Sequence, residues 1–360
     1  MSVRVLGVGC ALPPHRIDQG AARELARSLF AERIDDIDRR LGLFERVAVD
    51  ERAFCVPPSW FEVDHDLTER NDTYVHHATE LSVDAAHDAL TRAGVRPDEV
   101  GAISFVSSTG FATPSLDAVL AGRLGLPADV RRDATFGHGC AGGVGGLSRV
   151  ATWAETDRRR RPALLVATEL CGLTLQRHDA SLANLVATSL FADGAAAVVV
   201  GHADDAARQP GDAAPQVEIV ASSCVLWPDT ADVMGWTFSA DGMGIVLSRS
   251  VPQIVRRHLV ASVDAVCADA GICRHDLRHH VLHPGGAKVL DAFADVLGLD
   301  DHELRWSRSV LRRHGNMSSP TVLVALRDFL DSGAGASGDL GILSAMGPGF
   351  AAEHVVFRCV

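Results

Sequence analysis

Residues 138–147 read HGCAGGVGGL, and residues 314–323 read HGNMSSPTVL. Both open on His-Gly, and Asn316 stands where the first stretch has Cys140. The second begins 176 residues after the first, and two further pairs keep nearly that spacing. AGVRPDEV (93–100) is echoed by AGICRHDL (270–277), and LLVATE (164–169) by GILSAM (341–346), each at an offset of 177. Three pairs in one order at one spacing mark an internal duplication, and the spacing is close to half of the 360-residue chain. The chain is therefore expected to fold as two similar α/β halves, 1–205 and 215–360, packed about a pseudo-twofold axis.

Between the echoes, short β-branched runs alternate with amphipathic segments, the pattern of an α/β fold. Strands are read at 3–9, 101–107, 163–168, 195–201, 216–222, 280–283, 340–345 and 354–358. Helices are read at 19–29, 76–93, 115–123, 143–156, 252–270, 286–296 and 320–331. GHADDAARQPGDAAPQ (201–216), rich in Asp and Pro, marks a polar joint near the midpoint.

With 47% apolar residues the chain can bury one large core or two ordinary ones. A net charge of −12 argues against nucleic acid as a partner, which needs clustered positive charge. The run Arg158–Arg161 precedes apolar ALLVAT and reads as a solvated loop. Eight cysteines are scattered without a CxxC pair, which points to a reduced, cytoplasmic protein with free thiols. MSVRVLGVGCALP reads as a strand rather than a signal peptide, and no run of eighteen apolar residues predicts a membrane span.

The duplication gives the opening pair a chemical meaning. Cys140 and Asn316 occupy matching helix starts, and a pseudo-twofold axis brings those starts to one cavity. A thiol at a helix N-terminus beside an imidazole is pushed toward thiolate. The imidazole is expected from HHVLHPGGAKVL (279–290), where His283 closes a strand before Pro-Gly-Gly and a helix. That is the carboxyl edge of the sheet, where ligands of open α/β folds gather. Asn316 adds amide donors which, beside a neutral His Nε2–H, form an oxyanion hole for an enolate. Taken singly, Cys140 reads as a buried inert thiol and Asn316 as a helix cap; with His283 they read as a catalytic set. His138 and His314 read as turn or interface residues. No metal site is read at His279 and His283, because no carboxylate stands near them in sequence.

GCAGG (139–143), HPGG (283–286), GNMSSPTV (315–322) and GPGF (347–350) follow one another along the chain. They are joined by STGFATPSLD (108–117), LANLVATSLFADGAAAVVVG (182–201) and GIVLSRSVP (244–252). In this order they resemble the chalcone-synthase-like (type III) polyketide synthases of the thiolase superfamily, nearest in wording to bacterial alkylpyrone- and alkylresorcinol-forming enzymes. The resemblance implies a thiolase-like, duplicated αβαβα layered fold and a homodimeric acyltransferase. It also implies a reaction cycle. Cys140 takes an acyl group from acyl-CoA, His283 and Asn316 hold malonyl-CoA while it loses CO₂, and the enolate attacks the Cys140 thioester. No metal or cofactor beyond the CoA thioesters is implied.

Further roles carry over one position at a time. Phe191 corresponds to a gatekeeper between CoA tunnel and cavity, and Ile245 to a second gatekeeper that is usually Phe in plant enzymes. Ser108, Cys171, Thr174 and Ser318 fall at cavity-lining positions, and Thr113 where one subunit reaches into its neighbour's cavity. Gly347, Pro348 and Gly349 match the loop that bounds the cavity, and Arg46 matches a CoA-phosphate contact. Ile245 with small residues at 171 and 174 implies a long aliphatic starter and a pyrone or resorcinol product. Ser108 stands where malonyl-primed, naphthalene-forming relatives tend to have Cys. GCAGG is one residue shorter than the plant GCxAGG, a departure confined to the turn. Two rival readings stand beside this one: a ketosynthase-III-like single-condensation enzyme or acyltransferase, and a catalytically inactive scaffold of the same fold.

Overall fold

The computed structural model describes residues 2–202 and 216–360. The polar joint read at 201–216 lies, apart from its ends, outside the described residues. Among the described residues, nine strands form one mixed sheet. At its centre β1 (Val3–Ala11) meets β8 (Val217–Leu226). Outward from β1 run β7 (Asp193–His202), β6 (Ala163–Leu170), β4 (Ala102–Val106) and β5 (Arg131–Thr135). Outward from β8 run β13 (Ala351–Cys359), β12 (Leu340–Gly347) and β11 (Leu277–Leu282). The strand senses match on the two sides: two antiparallel steps and then a parallel one, β6 beside β4 and β12 beside β11. The duplication read from the repeats is thus written into the strand order. Two small antiparallel sheets complete the strands, β2 (His15–Asp18) with β3 (Glu51–Phe54) and the hairpin of β9 (Met234–Ser239) with β10 (Gly242–Leu247).

The seam between the wings is narrow, pairing only Arg4 with Glu218 and Val5 with Val217. The helices are α1 (Gln19–Phe30), α2 (Ile37–Leu41), α3 (Leu67–Ala93), α4 (Leu116–Leu124), α5 (Gly142–Thr156), α6 (Leu182–Leu190), α7 (Val251–Asp269), α8 (Ala287–Leu297), α9 (Arg305–His314) and α10 (Ser319–Ser332). Helices α5 and α10 lie between the wings, in one core with Val106, Leu165 and Val198 from one side and Val281, Leu343 and Val355 from the other. Helices α3 and α4 cover the outer face of the first wing, and α7 and α8 that of the second. Five layers result, helix–sheet–helix–sheet–helix. The strands between layers read as continuous apolar runs because both faces are buried: every residue of ALLVATEL in β6 and DGAAAVVVGH in β7 is buried.

All eight strands read from the sequence are present, with ends shifted by a few residues. The edge strand β5 was missed because RRDAT is largely exposed and carries no apolar run. Helix α3 begins nine residues before the position read, capped by the Asp66 carboxylate accepting from Glu69 N–H at 2.9 Å. Its first turns, LTERNDTYV, are too polar to carry an amphipathic signal.

Candidate active site

The turn bearing Cys140 is shaped by close approach. Gly139–Ala141 form one 3₁₀ turn, and α5 begins directly after it. A side chain on Gly143 would meet the Ser319 carbonyl oxygen at 2.2 Å, so glycine there lets the start of α5 lie against the start of α10. Gly139 takes φ +48°, and a side chain there would meet Pro348 Cδ at 2.7 Å. Ser108 steadies the approach to the thiol, its Oγ accepting from Gly137 N–H at 3.2 Å and Gly139 N–H at 2.9 Å.

Asn316 follows α9 and Gly315, whose φ is +68°. Its backbone is clamped to the end of α6: Asn316 N–H donates to Leu190 O, and Ala192 N–H to Asn316 O, both at 2.9 Å. The side-chain oxygen accepts from Ser318 N–H at 2.7 Å and the Thr321 hydroxyl at 3.5 Å, while Nδ2 stands 3.4 Å from Gly285 O. Capping and oxyanion readings therefore divide between two atoms: the oxygen holds the start of α10 and leaves the nitrogen as the donor. His283 extends the β11–β12 ladder by one bond, its N–H donating to Ser344 O at 2.8 Å. The ring is buried, and neither nitrogen has a partner among the described residues.

Cys140, His283, Asn316 and Phe191 line one cavity of about 560 Å³. The thiol lies within hydrogen-bond reach of the Ser318 hydroxyl and the Asn316 amide. Burial pushes the thiol up to about 11, against the opposing pull of those two donors, and pushes the His283 imidazole down to about 3. The acidification expected from a helix start beside an imidazole is outweighed by desolvation in the resting site. Both groups are then neutral at pH 7, and a proton moved from the thiol to an imidazole would leave a pair of opposite charges. Opposite charges made together are penalised less by burial than one isolated ion.

One buried group escaped the sequence reading. Glu169 ends the apolar run of β6, and its Oε2 accepts from Ser108 N–H (2.8 Å), Thr109 Oγ1 (2.9 Å) and Ser107 Oγ (3.3 Å). Its Oε1 accepts from Ser319 Oγ (3.0 Å) and Ser318 Oγ (3.5 Å). It therefore ties the first wing to the turn that opens α10, a stride from Cys140. Burial raises its carboxyl to about 7 in spite of these donors. An acid inside an otherwise apolar strand was the available signal.

The remaining predicted positions separate into groups. Phe191 borders both the main cavity and a small void of about 30 Å³ lined by Cys171, Thr174 and Ile245. Gly347 and Pro348 pack beneath the nucleophile turn, and a side chain on Gly347 would meet His138 O at 2.2 Å. Gly349 follows with φ 129°, and Phe350, not Gly349, reaches the cavity. Thr113 lies on an exposed loop outside the cavity, two residues from Phe111. Exposed Phe111, Phe136 and Phe238 form a cluster with ring centroids 5.0–6.5 Å apart. Arg46 stands at the cavity mouth with Arg39, Arg40, Arg249 and Lys288, none of which had been singled out. His279 has a carboxylate partner after all, Asp339 Oδ2 at 3.1 Å, brought by the fold from the residue just before β12. Among the described residues, no group of three or more His, Cys, Asp or Glu is placed to hold a metal ion, and no helix is long and apolar enough to cross a membrane.

A sheet duplicated about a central seam, with two helix starts bringing thiol, imidazole and carboxamide to one buried cavity, is the layout of a thiolase-like condensing enzyme. Residues 56–204 match the N-terminal domain, and residues 218–360 the C-terminal domain, of chalcone and stilbene synthases; the chain belongs to that family, the type III polyketide synthases, which are acyltransferases. It is 39% identical to the 1,3,6,8-tetrahydroxynaphthalene synthase of Streptomyces peucetius subsp. caesius over 354 residues, covering 98% of this chain and 92% of that one. It is 31% identical over 327 residues to the 3,5-dihydroxyphenylacetyl-CoA synthase of Streptomyces toyocaensis, covering 89% and 83%. The crystal structure of 1,3,6,8-tetrahydroxynaphthalene synthase from Streptomyces coelicolor A3(2), a bacterial type III polyketide synthase, superposes with a TM-score of 0.91 at 29% identity over 99% of both chains.

Proposed function

We propose that Cys140 is the acyl-carrying nucleophile of iterative, decarboxylative condensation, and that His283 and Asn316 stabilise the enolate. The observation that carries this is the sharing of one cavity by all three, with the Asn316 amide within reach of the Cys140 thiol. Sγ passes its proton to His283 and attacks the acyl-CoA carbonyl, and CoA leaves with a proton. Malonyl-CoA then enters with its thioester oxygen facing His283 Nε2–H and Asn316 Nδ2–H. Loss of CO₂ places negative charge on that oxygen, where two fixed donors in a dry site favour it. The enolate carbon attacks the Cys140 thioester and the lengthened chain is returned to the cysteine. Decarboxylation supplies the carbanion, so no base is needed to strip a carbon acid.

At the mouth, Arg46 with Arg39, Arg40, Arg249 and Lys288 gives an acidic chain a concentrated positive rim, suited to the phosphates of CoA. Phe191 separates that tunnel from the space around Cys171, Thr174 and Ile245, while Ser108 and Ser318 hold the nucleophile turn and thiol, and Gly347–Gly349 support the turn from below. The starter is an aliphatic acyl group, long rather than short, and the product a pyrone or resorcinol. The apolar wall of Leu190, Met234, Leu247, Met346 and Phe350 supports an aliphatic guest. The void behind Phe191 is about 30 Å³, so a long chain requires that ring to turn aside. The Phe111–Phe136–Phe238 cluster beside Thr113 supports self-association into a homodimer through that face.

Mass spectrometry of products from acyl-CoAs of graded length with malonyl-CoA tests the whole reading. Several malonyl units on a long starter are expected. One unit or none would favour the ketosynthase-III-like alternative, and a preference for malonyl-CoA alone would overturn the long starter.

A further inference from the structure

Of the 34 basic residues, 33 are arginine; Lys288 is the sole lysine in the chain. It sits in the first turn of α8, directly after the His283-Pro-Gly-Gly turn, and lines the same cavity as Cys140. Its side chain is exposed and has no hydrogen-bond or ion-pair partner among the described residues, whereas Arg39 and Arg40 both bind Asp36 and Arg46 Nε donates to Gly42 O. A guanidinium is not an acyl acceptor at any ordinary pH, but a lysine amine is. The one side-chain amine of the molecule therefore stands, uncommitted, where thioesters enter.

We infer that Lys288 is a self-acylation site for CoA thioesters, an inference that rests on the cavity being an acyl-CoA site. The deprotonated Nζ attacks the thioester carbonyl carbon, the C–S bond breaks, and CoA leaves as a thiolate that takes up the proton lost by nitrogen. An amide and free CoA result, with no other reactant. The consequence follows from the surroundings. The rim loses one positive charge, or gains a negative one if the group is malonyl, and an acyl tail can fold onto Leu43, Val47, Leu247 and Val289 of the same cavity. Acylated Lys288 is thus a plug that weakens CoA entry as thioester accumulates.

The test is to incubate the purified protein with malonyl-CoA or a medium-chain acyl-CoA, treat it with neutral hydroxylamine, and map the adducts by peptide mass spectrometry. Hydroxylamine removes a Cys140 thioester and spares an amide. A resistant adduct at Lys288 is expected in wild type and in C140A, and none in K288R, which keeps the charge and removes the nucleophile. Preincubation should lower turnover progressively in wild type and leave the before-to-after ratio near one in K288R. Loading of Cys140 without a resistant adduct, or an adduct that survives in K288R, overturns the inference. Failure of Cys140 to load at all overturns the catalytic reading instead.

Discussion

The two helix starts at the molecular centre are built from the same plan and do opposite things with it. At the start of α5, glycines flank Cys140 and Ala141, so that the Cys140 thiol meets the cavity with the Ser318 hydroxyl, the Asn316 amide and its own backbone N–H in reach. At the start of α10, the corresponding residue is tied down: Asn316 has its oxygen on Ser318 and Thr321 and its backbone on Leu190 and Ala192. A nucleophile must reach a moving target, whereas an oxyanion donor works best when already fixed. Duplication supplies two facing positions, and in the proposed cycle one residue at each divides the work. The wings diverge in the same sense farther out. Strands β6 and β7 are joined through residues 171–192, which carry α6 and Phe191, whereas β12 and β13 are joined by only Pro348–Phe350. The long connection builds the cavity wall, and the short one packs beneath the nucleophile.

Removing the thiol breaks the comparison most sharply. C140A is expected to lose chain extension by about 10⁴-fold or more, as when a catalytic nucleophile is deleted. Because the proposed donors, Asn316 and His283, lie outside the α5 start, C140A should still release CO₂ from malonyl-CoA, measured with radiolabelled malonyl carboxylate. Loss of both activities together would mean that the two starts do not divide the work.

Next in size are the donors. N316D replaces an amide with a carboxylate where negative charge develops, and about 10²–10³ of the decarboxylation rate should disappear, the usual cost of one oxyanion donor. H283Q carries a second signature. Without a proton acceptor the thiol must ionise alone in a buried site, so the pH profile of iodoacetamide inactivation should move upward, toward the value of about 11 that burial imposes on Cys140. A profile unchanged in H283Q would separate His283 from activation of the thiol.

A smaller effect tests the contact between the starts. G143A places a methyl 2.2 Å from the Ser319 backbone oxygen, and overpacking of this kind costs about 1–3 kcal/mol, seen as a fall in Tm. G145A, whose methyl would meet only the Glu353 side chain at 3.1 Å, should be nearly neutral. Equal effects at the two sites would show that the α5–α10 approach is not what the glycines serve.

How much of this was readable in advance follows from what leaves a periodic trace. The strands buried on both faces, such as β6 and β7, did, because that burial demands apolar runs, and the meeting of Cys140 and Asn316 at one cavity did, because duplication aligns the two positions. Other elements did not: β5 is exposed at a sheet edge, and α6 is short and was visible only within a motif although Ser181 caps it by accepting from Asn184 N–H at 3.2 Å, whereas α9, RWSRSVLRRH, carries an amphipathic period in Ser307, Val310 and Leu311 that its many arginines masked. Contacts created only by folding were also hidden. Nothing local in the sequence joins Glu169 to Ser319, His279 to Asp339, or Arg39 and Arg249 to one mouth.

Glu169 provides the finest test, because it links the two starts without belonging to either. Its carboxyl is raised to about 7 in the folded protein from an ordinary 4.5, so between these values the native state holds a proton that the unfolded chain has released. The contribution of this group to stability is therefore fully present below about pH 4.5 and is lost as pH rises to about 7, at no more than about 1.4 kcal/mol per pH unit. Asp193, raised to about 6 from 3.8, acts in the same direction over a lower range and is common to wild type and variant. E169Q removes the titration while keeping a side chain that can hydrogen-bond Ser108, Thr109 and Ser319. The wild-type Tm should accordingly fall relative to E169Q between pH 5 and 7, with the two curves running parallel above pH 8. Parallel curves throughout would mean that Glu169 is ionised at every pH tested, held so by its five donors, and that the bridge between the two starts is a permanent anion.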